Sequence, residues 1–285
     1  MKFSSGDEFL AWPQKAITII GMSGVGKTTL ANMVRQNDWF TYNVDYRIGT
    51  RYMGEHIVDN FKRQAMKVPM LADLLRSDSI DISSNITFDN LTPLSTYLGK
   101  PGDKEKGGIS FDEYRRRQTQ HRKAEISALT DIPHFIERAH DIYSYDHFFC
   151  DTGGSLCEVI DFDDANDPVL NTLIDNTMIV YIKGSSAHTQ TLIERFSKSP
   201  KPMYYLPAFL EQKWAEYKEL KNLSDDQVDP DDFIVWGFEQ LLHDRMPRYQ
   251  NIAGDHGYTI NMNDIPGLET DKDLISLLAT TIDNS

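Results

Sequence analysis

Short apolar runs alternate along this chain with longer stretches in which apolar residues recur every three or four positions. Ala16-Ile17-Thr18-Ile19-Ile20 is apolar and β-branched and predicts a buried strand. Thr29 to Val34 follows with Leu30, Met33 and Val34 on one helical face. Further strands are expected at Thr41–Asp45, His147–Cys150, Thr177–Ile182 and Tyr258–Ile260, and a closing helix over Asp271–Ile282 with Leu274, Leu277, Leu278 and Ile282 inward. Strands alternating with helices indicate an α/β fold, a parallel sheet covered on both faces.

Two segments interrupt the alternation. Ser77 to Gly108 is rich in Ser, Asp, Asn, Gly and Pro, and Lys100–Gly108 reads as a solvated loop. Leu220 to Asp232 is an acidic break between two helical stretches. Such additions near strand ends either grip substrates or merely elaborate the surface.

The connection after the first strand is Gly21-Met22-Ser23-Gly24-Val25-Gly26-Lys27-Thr28, then Thr29, a complete phosphate-binding P-loop. Its glycines let successive backbone N–H groups turn toward phosphate oxygens, and the helix start offers its free N–H groups to the same anion. Lys27 supplies a mobile positive charge for the β- and γ-phosphates, and the Thr28 hydroxyl is suited to Mg²⁺. The motif therefore calls for ATP or a related triphosphate with magnesium. Gly21, Ser23, Gly24, Val25, Gly26, Lys27, Thr28 and Thr29 are its nucleotide-binding residues.

Three other positions carry candidate chemistry. Asp45 follows the second apolar run, where a carboxylate can accept a proton from an attacking hydroxyl; the alternative is a turn former or cap. Asp151 ends Phe148-Phe149-Cys150, as in a Walker B strand that holds Mg²⁺, or else it caps a turn. Gly153 and Gly154 follow and permit close approach to a ligand. Arg195, Lys198 and Lys201, with Pro200 and Pro202, suit a mobile lid that brings positive charge to a transferring phosphoryl group; cations at a helix C-terminus are equally favourable without any catalytic part.

Composition narrows the partners. The net charge of −14, from 29 basic and 43 acidic residues, argues against a long nucleic acid or an anionic membrane surface. Cys150 and Cys157 are the only cysteines and have no metal-ligand spacing, which fits a reducing, cytoplasmic setting. No signal peptide or membrane-length apolar run is read.

Together these positions resemble the shikimate kinase family over most of the chain. GMSGVGKTT is similar to that family's P-loop, and YNVDYRIGTRYMGEHI to its second strand and following helix. The resemblance implies a P-loop NTPase three-layer αβα sandwich, one domain over 1–285, with a five-stranded parallel sheet in the order 2-3-1-4-5. It implies insertions at about 50–145 and 207–243, and a lid at about 186–206. It makes Asp45 the contact and base for the acceptor hydroxyl, and Arg195 and Pro266 the adenine contacts. Gly153, Gly154 and Arg245 become acceptor-binding residues, the last within Arg245-Met246-Pro247-Arg248-Tyr249. Lys201-Pro202 stands where the family has Arg-Pro in its lid. The family's first strand-end Asp is Asn43 here, and Asp151 substitutes for it beside Thr28 at the metal. Its other substrate arginine corresponds to one of Arg115, Arg116 and Arg117, a triplet that otherwise reads as a solvated basic helix face.

The activity so implied is ATP- and Mg²⁺-dependent phosphoryl transfer to the hydroxyl of a small anionic metabolite by a monomer or small homo-oligomer, with Lys27, Asp45 and Lys201 catalytic. The lengthened acceptor region and the altered strand-end pair point away from shikimate itself. An ATPase or nucleotide-dependent switch and a nucleotide kinase are the alternatives. No Asn-Lys-x-Asp or Leu-Ser-Gly-Gly motif supports a GTPase or a transporter ATPase.

Overall fold

The computed structural model describes residues 1–285 with the exception of Ser186. Its contacts divide into two compact units, one of residues 1–44, 126–199 and 235–285, the other of residues 45–125 and 200–234.

The first unit is built on a parallel sheet of β1 (Ala16–Ile20), β2 (Trp39–Asn43), β3 (His147–Asp151), β4 (Met178–Lys183) and β5 (Gly257–Asn261), in the spatial order β2-β3-β1-β4-β5. This is the order the family resemblance implied, and with its helical crossovers it is the αβα arrangement of P-loop NTPases. Every residue of β1 is buried, as a central strand covered on both faces must be. Thr18 tolerates that position because its hydroxyl donates to Thr177 at 2.9 Å. The closing helix Asp271–Asp283 buries Leu274, Leu278 and Ile282, and its Asp283 accepts a 2.7 Å hydrogen bond from the Gly6 amide of the first helix.

β2 begins and ends two residues earlier than expected. Trp39 and Phe40 join it because their rings pack on His147, Phe149 and Phe148 of β3. Asn43 is its last residue, and Val44–Arg47 turns into a helix followed by the π-helical turn Ile48–Tyr52. Asp45 therefore lies in this helical turn and not in the strand. The other strands agree with the apolar runs to within a residue or two.

The second unit is mainly helical. Trp214 of the helix Pro207–Lys221 stacks on Phe111 at 4.6 Å and meets Phe233 edge-on at 4.8 Å. Ser77–Gly108 is not irregular throughout: Thr92–Leu98 is a helix with Leu94, Tyr97 and Leu98 buried. The arginine triplet is also less uniform than a solvated face. Arg115 pairs with Asp112 and Glu211, and Arg116 with Glu113, at the surface. Arg117 turns inward, donating to the Tyr97 carbonyl, to Asn60 at 3.1 Å and to Glu113 at 2.8 Å. Among the described residues no helix is long and apolar enough to cross a membrane.

Candidate nucleotide site

The loop after β1 adopts backbone that its glycines alone accept easily. Gly24 and Gly26 have φ of 80° and 107°, in the left-handed region. Gly26 has a second constraint, because a Cβ there would lie 2.8 Å from the Ile265 δ-methyl. The segment Met262–Gly267 after β5, which contains Pro266, thus rests against the loop. Gly26 also caps the helix Lys27–Arg35 without any side-chain hydrogen bond, which leaves the first amides of the helix for an anion. The buried Lys27 folds back over this loop, its ammonium donating to the Gly21 and Met22 carbonyls at 2.8 and 3.0 Å.

The parallel register brings the strand ends together: Asp151 pairs with Ile19 of β1 and with Asn43 of β2. The Thr28 hydroxyl donates to Asp151 Oδ2 at 3.2 Å, and the Asn43 amide donates to the same oxygen at 3.4 Å. Asp151 is 4 % exposed. Burial pushes its carboxyl above the usual range, while the Lys27 charge and the Thr28 hydrogen bond pull the other way. A hydroxyl beside a buried carboxylate, both oxygen donors, suits Mg²⁺, whose charge would favour the ionised acid that burial disfavours. The glycine loop, the uncapped helix and Lys27 likewise fit the phosphates of ATP.

Gly153 and Gly154 follow Asp151, and Thr152 anchors the turn by donating to the Ile19 carbonyl at 2.8 Å. A Cβ on Gly154 would stand 3.6 Å from the Ser23 amide nitrogen and 3.7 Å from Arg245 Nη1. Arg245 thus reaches the edge of the loop, and it arrives with a partner. Its guanidinium donates to Glu158, and both side chains are buried. Sequence reading missed Glu158. The signal was a lone acid within the apolar run Leu156-Cys157-Glu158-Val159-Ile160, since a charge in such a run needs a partner.

His188 is a second residue that no motif marked. It lines a cavity of about 390 Å³ with Met22 and Val25 of the loop, Tyr181, Leu192 and Met246. Its Nε2 is buried without a hydrogen-bond partner. Burial lowers its pKa, with the nearby Ser23 backbone opposing and the Arg195 charge adding to the effect, which favours a neutral imidazole. Arg195 is exposed on the same helix, Ser186–Lys198. The first unit contains Gly21–Thr29, Asp151, Gly153, Gly154, Arg195, Arg245 and Pro266. Asp45 and Lys201 belong to the second unit.

No family model matches the chain, and no curated protein does. Among solved structures it is similar to shikimate kinase from Bacteroides thetaiotaomicron, at 15% identity over 95% of this chain and 97% of that one, with a TM-score of 0.40. It is also similar to shikimate kinase from Acinetobacter baumannii in complex with shikimate, at 15% identity over 97% and 94% of the two chains, with a TM-score of 0.32. Strand order and loop geometry, not these distant likenesses, define the P-loop NTPase fold here.

Proposed function

We propose that this chain is an ATP- and Mg²⁺-dependent kinase that phosphorylates a hydroxyl of a small metabolite. The observation that carries the reading is the convergence of Lys27, Thr28 and Asp151 at the ends of β1 and β3, beside a helix start left uncapped. Lys27 would exchange its loop carbonyls for phosphate oxygens. Thr28 and Asp151 would hold Mg²⁺, which neutralises charge on the triphosphate when bound. Asp45, two residues beyond β2, would accept the proton as the acceptor oxygen bonds to the γ-phosphorus and the bond to the ADP oxygen breaks. Lys201 and Arg195 would supply lid charge, with Arg195 and Pro266 flanking the base. Gly153 and Gly154 would let the acceptor approach closely. Residues 45–125 and 200–234 are, in this reading, the acceptor-binding elaboration of a kinase core. Positioning and electrostatics supply the rate.

The test is ATP consumption by the purified chain with and without a panel of small hydroxylated acceptors. Asp45→Asn should retain ATP binding and lose transfer; undiminished transfer in that variant would remove Asp45 from the mechanism. One observation favours a second reading, an ATPase without an anionic acceptor: Glu158 already neutralises Arg245, the residue expected to meet the acceptor's charge. ATP turnover that no acceptor stimulates would decide for it.

A further inference from the structure

The second unit contains a cavity of about 630 Å³ that belongs to no motif. Its walls are the Thr92–Leu98 helix, the Lys100–Gly107 loop, the Pro200-Lys201-Pro202 segment, and Pro230 with Asp231. The loop wall is braced. Lys100 pairs with Asp231, Lys106 pairs with Asp229 at 2.9 Å, and the Asp103 amide donates to the Val228 carbonyl at 2.8 Å. Those pairs use two of the three lining lysines. Lys201 lines the cavity with no hydrogen-bond or ion-pair partner among the described residues, and Asp89 is its unpaired acidic counterpart. Two flanking prolines restrict the backbone around Lys201, so its ammonium is presented from a stiffened segment.

The helical wall is complementary in another way. Thr92, Ser95 and Thr96 stand at i, i+3 and i+4 on one face, and their side-chain hydroxyls make no hydrogen bond among the described residues. Phe88 and Leu91 add apolar surface. One free ammonium, one free carboxylate and three free hydroxyls beside an aromatic ring match a ligand with a single anionic group and several hydroxyls. An apolar ligand would leave these groups unpaired. The volume lies within the range of small-molecule sites and admits a phosphorylated sugar.

We propose that this cavity binds a small polyhydroxylated anion, with Lys201 taking the anionic group and Asp89, Thr92, Ser95 and Thr96 taking hydroxyls. The claim concerns binding without nucleotide; the kinase reading uses the same Lys201 in its lid and is tested separately, at the P-loop.

The experiment is calorimetric titration of the full chain, without ATP, with glucose 6-phosphate, ribose 5-phosphate and gluconate. Glucose and inorganic phosphate serve as single-feature controls. At least one polyhydroxylated anion should bind more than about tenfold more tightly than either control. Lys201→Met should weaken that binding by about tenfold or more and leave glucose unaffected, as loss of a charge contact requires. Thr92→Val with Thr96→Val should weaken it as well, while Lys221→Met, outside the cavity lining, should not. Absence of binding by all three anions, or binding indifferent to Lys201→Met, overturns the proposal. ATP binding measured on the same samples distinguishes a failure here from a failure at the P-loop.

Discussion

Arg245 and Glu158 form an ion pair with both side chains out of water, 87 positions apart in the chain. A buried charge without its partner is costly, so Glu158→Gln should destabilise the protein by about 3–5 kcal/mol. In an Arg245→Met background the same change should cost much less. A denaturation double-mutant cycle reads the coupling, and additive effects would mean that the pair does not hold the first unit together.

The raised pKa of Asp151 gives a pH dependence with a defined sign. Its acid form persists to higher pH than that of an ordinary carboxyl, whereas Mg²⁺ requires the ionised form. The Mg²⁺-dependent part of ATP-analogue affinity should fall as pH drops through that raised value, and Asp151→Asn should flatten the profile. The ligand-free protein behaves oppositely. A group whose folded pKa is raised contributes stability below its unfolded value and loses that contribution as pH rises through the folded one.

Gly26→Ala combines a left-handed backbone with the Ile265 contact. A loss of about 1–3 kcal/mol is expected from the backbone alone. Shortening Ile265 to Ala should cost less in the Gly26→Ala protein than in the parent, because it removes the overlap. Equal costs in urea unfolding would locate the whole effect in the backbone.

Glu113 illustrates the opposite linkage in the second unit. Hydrogen bonds from Arg116 and then Arg117 pull its carboxyl from 4.5 down to about 2. A lowered acid pKa contributes stability above its ordinary value, and that contribution is lost as pH falls toward the folded one. Glu113→Gln should remove this segment of the acid-unfolding profile, between about pH 4.5 and 2, with the higher-pH limb unchanged in slope.

The P-loop, Asp151 and four of the five strands were legible because each is a local pattern: an apolar run, a glycine spacing, an acid after a strand. β2 was displaced because Trp39 and Phe40 owe their place to rings on β3, which no local window contains. Glu158 and the inward turn of Arg117 were hidden for the same reason, since each is defined by a partner far along the chain. His188 stands on an ordinary amphipathic helix and acquires meaning only through the loop it faces. Lys201 was read as a lid charge from three cations and two prolines in one segment and from its likeness to a family Arg-Pro, and the cavity beside it required the braced loop across from it.

Asn43 shares Asp151 Oδ2 with Thr28, and it is an amide where a second acid would have doubled the negative charge. One carboxylate and one hydroxyl have little hold on a free divalent ion, which binds best where several oxygen ligands converge. In the proposed kinase the remaining ligands would come from the triphosphate and from water. Metal and nucleotide would then reach this chain as a single visitor, arriving and departing together.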